Sequence, residues 1–261
     1  MKNDYSYKII LFTGSRKEEL KMMLLGKTGD GKSSIGNTIL NKKAFIAKTL
    51  ANSVTSSCMS RSGITHGRSV TVIDTPGFFD TDRPDDELKS EIIKCITECA
   101  PGVHAFLIIL TVGRYTEQEK EVVKKITETI GEAAFRYSVV LFTHGDQLSQ
   151  GQTIENFVRE SEALQELVDK CRGRCHVVDN KYWNQQKDDY RNNSVQTRKL
   201  LDTIEKMLRE NGGNYYTNAL LQKTEEDIQV EEMRIREVGT GIMSRAEIRE
   251  MAQRRVMWVW V

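Results

Sequence analysis

Apolar and polar positions divide the chain into short apolar runs separated by stretches of helical period. Leu20–Leu25, 69–73, 105–110, 137–142 and 175–178 are runs of strand length. The run 105–110 is continuously apolar, which marks a central parallel strand covered on both faces. A further β-like run at 58–64 precedes 69–73, and Gly67 between them suits a hairpin turn. Between these runs, apolar residues recur at three and four: Leu88, Ile92, Ile93 and Ile96, then Val122, Val123, Ile126 and Ile130. Phe157, Val158, Leu164, Leu167 and Val168 predict one or two further helices, and Leu200, Leu201, Ile204 and Leu208 a last one that Ser194 caps. Strands alternating with helices predict an α/β domain of three layers with a mostly parallel sheet. Asn211, Gly212 and Gly213 stop the last helix. We therefore divide the chain into an N-terminal extension at 1–18, a main domain at 19–213 and a charge-rich, helix-prone C-terminal extension at 214–261.

Composition narrows the class. The chain has 261 residues, enough for one sizeable α/β domain with an appendage. A net charge of +1 gives no electrostatic footprint for nucleic acid. Cys58, Cys95, Cys99, Cys171 and Cys175 are an odd number, and no clear cleavage pattern follows the short apolar run near the start. The reading is a reducing, intracellular compartment, with the CxxxC pairs Cys95/Cys99 and Cys171/Cys175 used in helix packing; a zinc site from the two pairs is the alternative. No apolar run approaches the roughly 20 residues a membrane-spanning helix needs. The terminal Met257, Trp258, Val259, Trp260 and Val261 leave open a membrane-surface contact or packing on the chain's own domain.

The strand Leu20–Leu25 empties into Gly26, Lys27, Thr28, Gly29, Asp30, Gly31, Lys32 and Ser33, and a helix-like stretch from Ser33 and Ser34 follows. This matches GxxxxGK[ST] between strand and helix, the context a phosphate-binding loop requires. The glycines let backbone N–H groups face an anion, and the helix N-terminus adds positive potential. Lys32 reaches β- and γ-phosphates, and the Ser33 hydroxyl suits Mg²⁺. The run 69–73 ends in Asp74, Thr75, Pro76 and Gly77. There Asp74 suits Mg²⁺ and the Gly77 N–H suits a γ-phosphate, although the same residues make a good turn. Thr55, in a Ser/Thr-rich loop, is the candidate to close over metal and γ-phosphate.

Two further stretches lie at the carboxyl ends of strands, where open α/β sheets bind ligands. Arg114 follows Gly113 and precedes Thr116 and Glu119, which form a capping box; the box does not account for Arg114, a candidate to reach phosphate. Thr143, His144, Gly145 and Asp146 end the next strand. A carboxylate at Asp146 accepts from guanine N1–H and the 2-amino group, a pairing adenine cannot make. His144 supplies a ring that can stack on a purine, and Asn180, after the last strand, suits a contact near base or ribose. Phe78 stands where many small GTPases carry a water-orienting glutamine, and Thr28 crowds the γ-phosphate position, so the isolated monomer is expected to hydrolyse slowly.

These motifs together describe a GTPase domain. With 113–119 between Gly77 and Thr143, residues 19–213 resemble the immunity-associated GTPases, the GIMAP or IAN family, relatives of septins and of the chloroplast import-receptor GTPases. The resemblance implies a P-loop GTPase fold that binds GTP or GDP with Mg²⁺. It also implies dimers or hetero-oligomers of related GTPases formed through the nucleotide face, in immune-cell or host-defence settings. The expected location is cytoplasmic, with peripheral contact on intracellular membranes left open. On this reading Arg114 and Thr55 serve catalysis, and Ser33, Thr55 and Asp74 hold the metal. The alternatives are a GTP-loaded scaffold that does not hydrolyse and an ATP-using P-loop kinase.

Overall fold

A computed structural model describes residues 19–47, 58–77, 85–184, 188–238 and 243–260. Thr55, Phe78 and the N-terminal extension at 1–18 lie outside the described residues. The strands are β1 (Leu20–Leu25), β2 (Met59–Thr65), β3 (Arg68–Asp74), β4 (Ala105–Thr111), β5 (Ser138–Thr143) and β6 (Cys175–Val177). The helices are α1 (Lys32–Leu40), α2 (Asp85–Cys99), α3 (Glu117–Ile130), α4 (Ile154–Arg159), α5 (Glu162–Lys170), α6 (Asn193–Glu210), α7 (Ala219–Val238) and α8 (Arg245–Trp260).

The strands make one sheet in the order β2-β3-β1-β4-β5-β6. All neighbours are parallel except β2, which pairs antiparallel with β3 across the turn at His66 and Gly67. Strand residues alternate between two cores, as side chains of a pleated sheet must. Leu20, Met22, Leu24, Leu107, Ile109 and Leu141 face α1 and α6, through Ile35, Ile39, Leu200 and Ile204. Met23, Leu25, Ile108, Leu110, Val140 and Phe142 face the opposite way, toward Cys99, Val122, Ile126, Leu164 and Leu167. This is the expected three-layer P-loop arrangement. In register, Leu24 stands opposite both Asp74 and Leu107, and Thr111 opposite Thr143. The chain therefore leaves β1, β3, β4 and β5 at one carboxyl edge.

Several details differ from the sequence reading. Asn192, not Ser194, caps α6, its side chain accepting from the N–H groups of Ser194 and Val195. In α2 the buried residues are Cys95, Thr97 and Cys99, while Ile93 and Ile96 are half-buried; the side chains of Leu88 and Ile92 lie outside the described residues. The helix is held on two sides, by the sheet and by α8, whose Gln253 Nε2 donates to Thr97 O at 3.2 Å. Cys58 and Cys95 are joined as a disulfide across 37 residues, with their Cα atoms 5.6 Å apart. This corrects the assignment of Cys95 to packing with its CxxxC partner: α2 crosses the start of β2 closely enough to bring the two sulfurs together. Cys99, Cys171 and Cys175 are free and buried.

The C-terminal extension is helical, as its composition predicts, and it packs back on the domain. Ile228, Ile235, Ile248, Ala252 and Val256 bury a small core against Ala100 at the end of α2. Arg249 lies between Glu225 and Glu232 and donates to Ala100 O. Beyond Gly213 the chain first adds Tyr216 to the main core, bridged to Val103 and edge-on to Phe106. At the far end of α8, Trp258 and Val259 are exposed. Among the described residues, no helix is long and apolar enough to cross a membrane.

Candidate functional site

The loop between β1 and α1 owes its path to two glycines. A Cβ on Gly26 would lie 2.8 Å from Ile109 O on the neighbouring β4, so only glycine lets the loop leave the sheet there. Gly31 has φ 82° and forms the left-handed N-cap of α1. The Lys32 side chain is buried across the loop, its Nζ donating to Gly26 O at 2.9 Å and Lys27 O at 2.7 Å. Asp30 is 2% exposed and accepts the Lys27 N–H at 3.0 Å. Burial pushes its carboxyl up to about 7, against the pull of Lys32 and Lys27. Thr28 and Gly29 stand exposed at the crest.

Ser33 and Asp74, 41 residues apart, meet where α1 begins and β3 ends: Ser33 Oγ donates to Asp74 Oδ2 at 2.5 Å. Asp74 is fully buried. Thr75 pins the following turn by donating from Oγ1 to Leu24 O at 2.7 Å, and Gly77 closes it, buried. A hydroxyl and a carboxylate converging beside a phosphate loop are hard oxygen donors, the set that suits Mg²⁺. Thr55, the third expected ligand, lies outside the described residues.

At the other end of the edge, His144 follows β5 in a left-handed conformation (φ 57°), with its ring exposed and its Nδ1 3.1 Å from Thr143 Oγ1. Asp146 is half-exposed and accepts from Gln147 Nε2 at 2.9 Å. Its backbone N–H donates to Asp179 Oδ2 at 3.4 Å, and Asp179 also accepts from the backbone of Lys181 and Tyr182. Burial, and then the adjoining Asp179, raise the Asp146 carboxyl. Asp179 moves the other way: burial opposes its charge, but the N–H groups it accepts hold it low. Asn193 locks this corner from α6, accepting from the Asp179 N–H at 3.0 Å and donating to Asp179 O at 2.5 Å. Asn180 turns toward the phosphate loop. It accepts from Thr38 Oγ1 at 3.2 Å, and with Ser34 it lines one end of a cavity of about 870 Å³.

Arg114 is exposed on the turn after β4 and makes no ion pair among the described residues. Five residues on, Glu119 completes the predicted capping box with Thr116 and also ion-pairs with Lys27 in the phosphate loop. The structure thus gathers the loop 26–33, Asp74, Gly77, Asn180 and Asp146 along one edge, with Arg114 on a neighbouring turn. Glu119, Asp179 and Asn193, which contact these residues, did not stand out in the sequence: Glu119 read only as a cap, and Asp179 and Asn193 carry no motif.

A family model described as the AIG1 family matches residues 20–235. Immune-associated nucleotide-binding protein 10 of Arabidopsis thaliana is 36% identical over 245 residues, 90% of this chain and 51% of that protein. GTPase IMAP family member 8 of Homo sapiens is 32% identical over 200 residues, 77% of this chain and 29% of its own length. The chain spans 51% and 63% of the first two curated relatives it matches. Among solved structures, Toc33 from Arabidopsis thaliana in complex with GDP and Mg²⁺ is 19% identical with a TM-score of 0.56, covering 74% of this chain and 85% of Toc33. That likeness is one of fold.

Proposed function

This chain belongs to the AIG1 family, and on that premise we propose that it binds GTP and GDP with Mg²⁺ and that GTP-dependent self-association makes it a molecular switch. The observation that carries the reading is the 2.5 Å contact between Ser33 and Asp74 beside the loop that holds Lys32. Each residue has a task in it. The N–H groups of 26–33 and Lys32 cradle the phosphates, and Ser33 and Asp74 hold the metal that neutralises them. Asp146 accepts from the two guanine donors, His144 lays its ring over the base, and Asn180 closes the ribose side. Arg114, exposed and without a partner in its own chain among the described residues, reaches the phosphates of a second copy and supplies charge to the departing phosphoryl group. Thr55 is assigned to the closing of the loop over metal and γ-phosphate. The membrane role rests on Trp258 and Val259, exposed at the end of α8.

The test is GTP hydrolysis at several protein concentrations, with the oligomeric state followed in parallel. A specific rate that climbs with concentration, and that Arg114→Ala flattens without loss of GTP binding, supports catalysis across a dimer. A second reading, a GTP-loaded scaffold, draws on Thr28 at the crest of the loop; a GTP-dependent dimer with flat, near-zero turnover selects it. Failure to bind guanine nucleotide removes both.

A further inference from the structure

Glu119 is one of the few acidic side chains buried among the described residues, at 8% exposure, and it lies beside a loop read as holding phosphates. Its two oxygens have different work. Oε2 closes the capping box of α3, accepting the Thr116 N–H at 2.9 Å and the Thr116 hydroxyl. Glutamine performs that task equally well, because a cap needs an acceptor and not a charge. Oε1 is directed away from the helix, onto Lys27 Nζ. The capping box leaves this second contact unexplained, and it is the one that uses the charge.

Lys27 is itself built into the loop. Its carbonyl accepts from Lys32 Nζ at 2.7 Å and its N–H donates to Asp30 Oδ2 at 3.0 Å. A chain of contacts therefore runs from α3 through Lys27 to Lys32, the lysine assigned to the phosphates. Among the described residues, Glu119 is the carboxylate that ion-pairs with Lys27, while the nearby Asp30 carboxyl is pushed up to about 7 by burial.

We infer that Glu119 sets the preference of the phosphate loop for a guanosine triphosphate over a diphosphate, by holding and neutralising Lys27. The inference rests on the nucleotide-binding reading above. A triphosphate brings about one more negative charge than a diphosphate, so the local charge weighs more heavily on it. With Glu119 in place, the Lys27–Glu119 pair adds little net charge. Replacing Glu119 by a neutral residue raises the charge beside the loop by one. Glu119 is a positioning and specificity residue here, acting through Lys27 rather than on the nucleotide.

The experiment compares wild type, Glu119→Gln, Lys27→Met and the double variant in the full chain. The dissociation constants for GDP and for a non-hydrolysable GTP analogue are measured with Mg²⁺, together with the thermal midpoint. Net charge at the pair is zero in wild type, plus one in Glu119→Gln, minus one in Lys27→Met and zero again in the double variant. The ratio of analogue to GDP affinity should follow that ladder: about three- to tenfold up in Glu119→Gln, similarly down in Lys27→Met, and back near wild type in the double variant. A merely structural Glu119 lowers the midpoint and both affinities together and leaves the ratio within twofold, which overturns the inference. Should Glu119→Gln fail to fold, Lys27→Met alone decides, because an unchanged ratio there refutes it too. Wild-type protein that binds neither nucleotide overturns the site reading itself, a result distinct from a flat ladder.

Discussion

Gly145 lies between His144 and Asp146, and the reason it is glycine is steric. A Cβ at this position would lie 2.6 Å from Trp183 Cη2 and 2.7 Å from Cζ2. Ordinary carbon–carbon contact begins near about 3.5 Å, so Gly145→Ala forces a displacement of roughly 1 Å. Trp183 is 1% exposed, so its indole cannot swing out into solvent without unpacking the core around it. The backbone of Gly145 is not in the left-handed region, so the clash alone decides. Overpacking of this kind costs about 1–3 kcal/mol, a fall in melting temperature of about 2–4 °C for each kcal/mol in a chain of this size. Because the displaced turn after β5 carries Asp146, guanine nucleotide affinity should fall with stability. Trp183→Phe removes the atoms that clash at the cost of a cavity, roughly 1–2 kcal/mol. The double variant Gly145→Ala, Trp183→Phe should then be more stable than the sum of the singles predicts, by about 1 kcal/mol, since the new methyl fills the space the larger ring left. Chemical denaturation of the four proteins measures the cycle. Additive costs, or a Gly145→Ala variant with unchanged midpoint and nucleotide affinity, would refute the account of this loop.

Three other outcomes follow from contacts already described. Asp146→Asn turns one of the two carboxylate acceptors into an amide donor that faces a guanine donor, so affinity for GDP should fall by about one to two orders of magnitude. Xanthosine diphosphate, with a carbonyl where guanine has its amino group, should gain relative to GDP; competition binding checks both. Cys95→Ser removes the cross-link to Cys58 across 37 residues, and under non-reducing conditions should cost about 2–4 kcal/mol, with reductant lowering the wild type toward the variant. His104 accepts the Lys21 N–H at Nδ1, and burial, with Lys21 nearby, lowers its value from 6.5 to about 4. The folded state therefore binds this proton less readily than the unfolded chain. Its contribution is intact above about 6.5 and is lost as pH falls toward about 4, on the order of 3 kcal/mol. His104→Asn, which keeps an acceptor that does not titrate, should flatten that limb of a stability-versus-pH curve.

The sequence was most legible where a residue's environment is built by its own neighbours. The runs at 20–25 and 105–110 could only be buried strands, and Gly31 needs its left-handed φ because of the turn it makes with the residues beside it. The loop 26–33, Asp74 and Asp146 could be placed on one sheet edge because each lies at or just past the end of a strand that its apolar run already marks. What escaped depended on partners far along the chain. Asn193 is an unremarkable helix residue until Asp179, 14 positions earlier, is placed against it. Cys58 and Cys95 could not be paired before α2 was known to cross the start of β2. The tail read as charge-rich, yet Ile228, Ile235, Ile248 and Val256 suffice for a small core because they pack together with Ala100, far earlier in the chain. Glu119 shows the limit most sharply. Its local pattern gave a complete explanation, a capping box, and that explanation is correct for one oxygen. The other oxygen answers to Lys27, 92 residues earlier, and no local pattern could have separated the two. A residue whose local role is satisfied can therefore still carry a charge whose purpose lies elsewhere in the fold, and a substitution that keeps the cap while removing the charge is the way to isolate it.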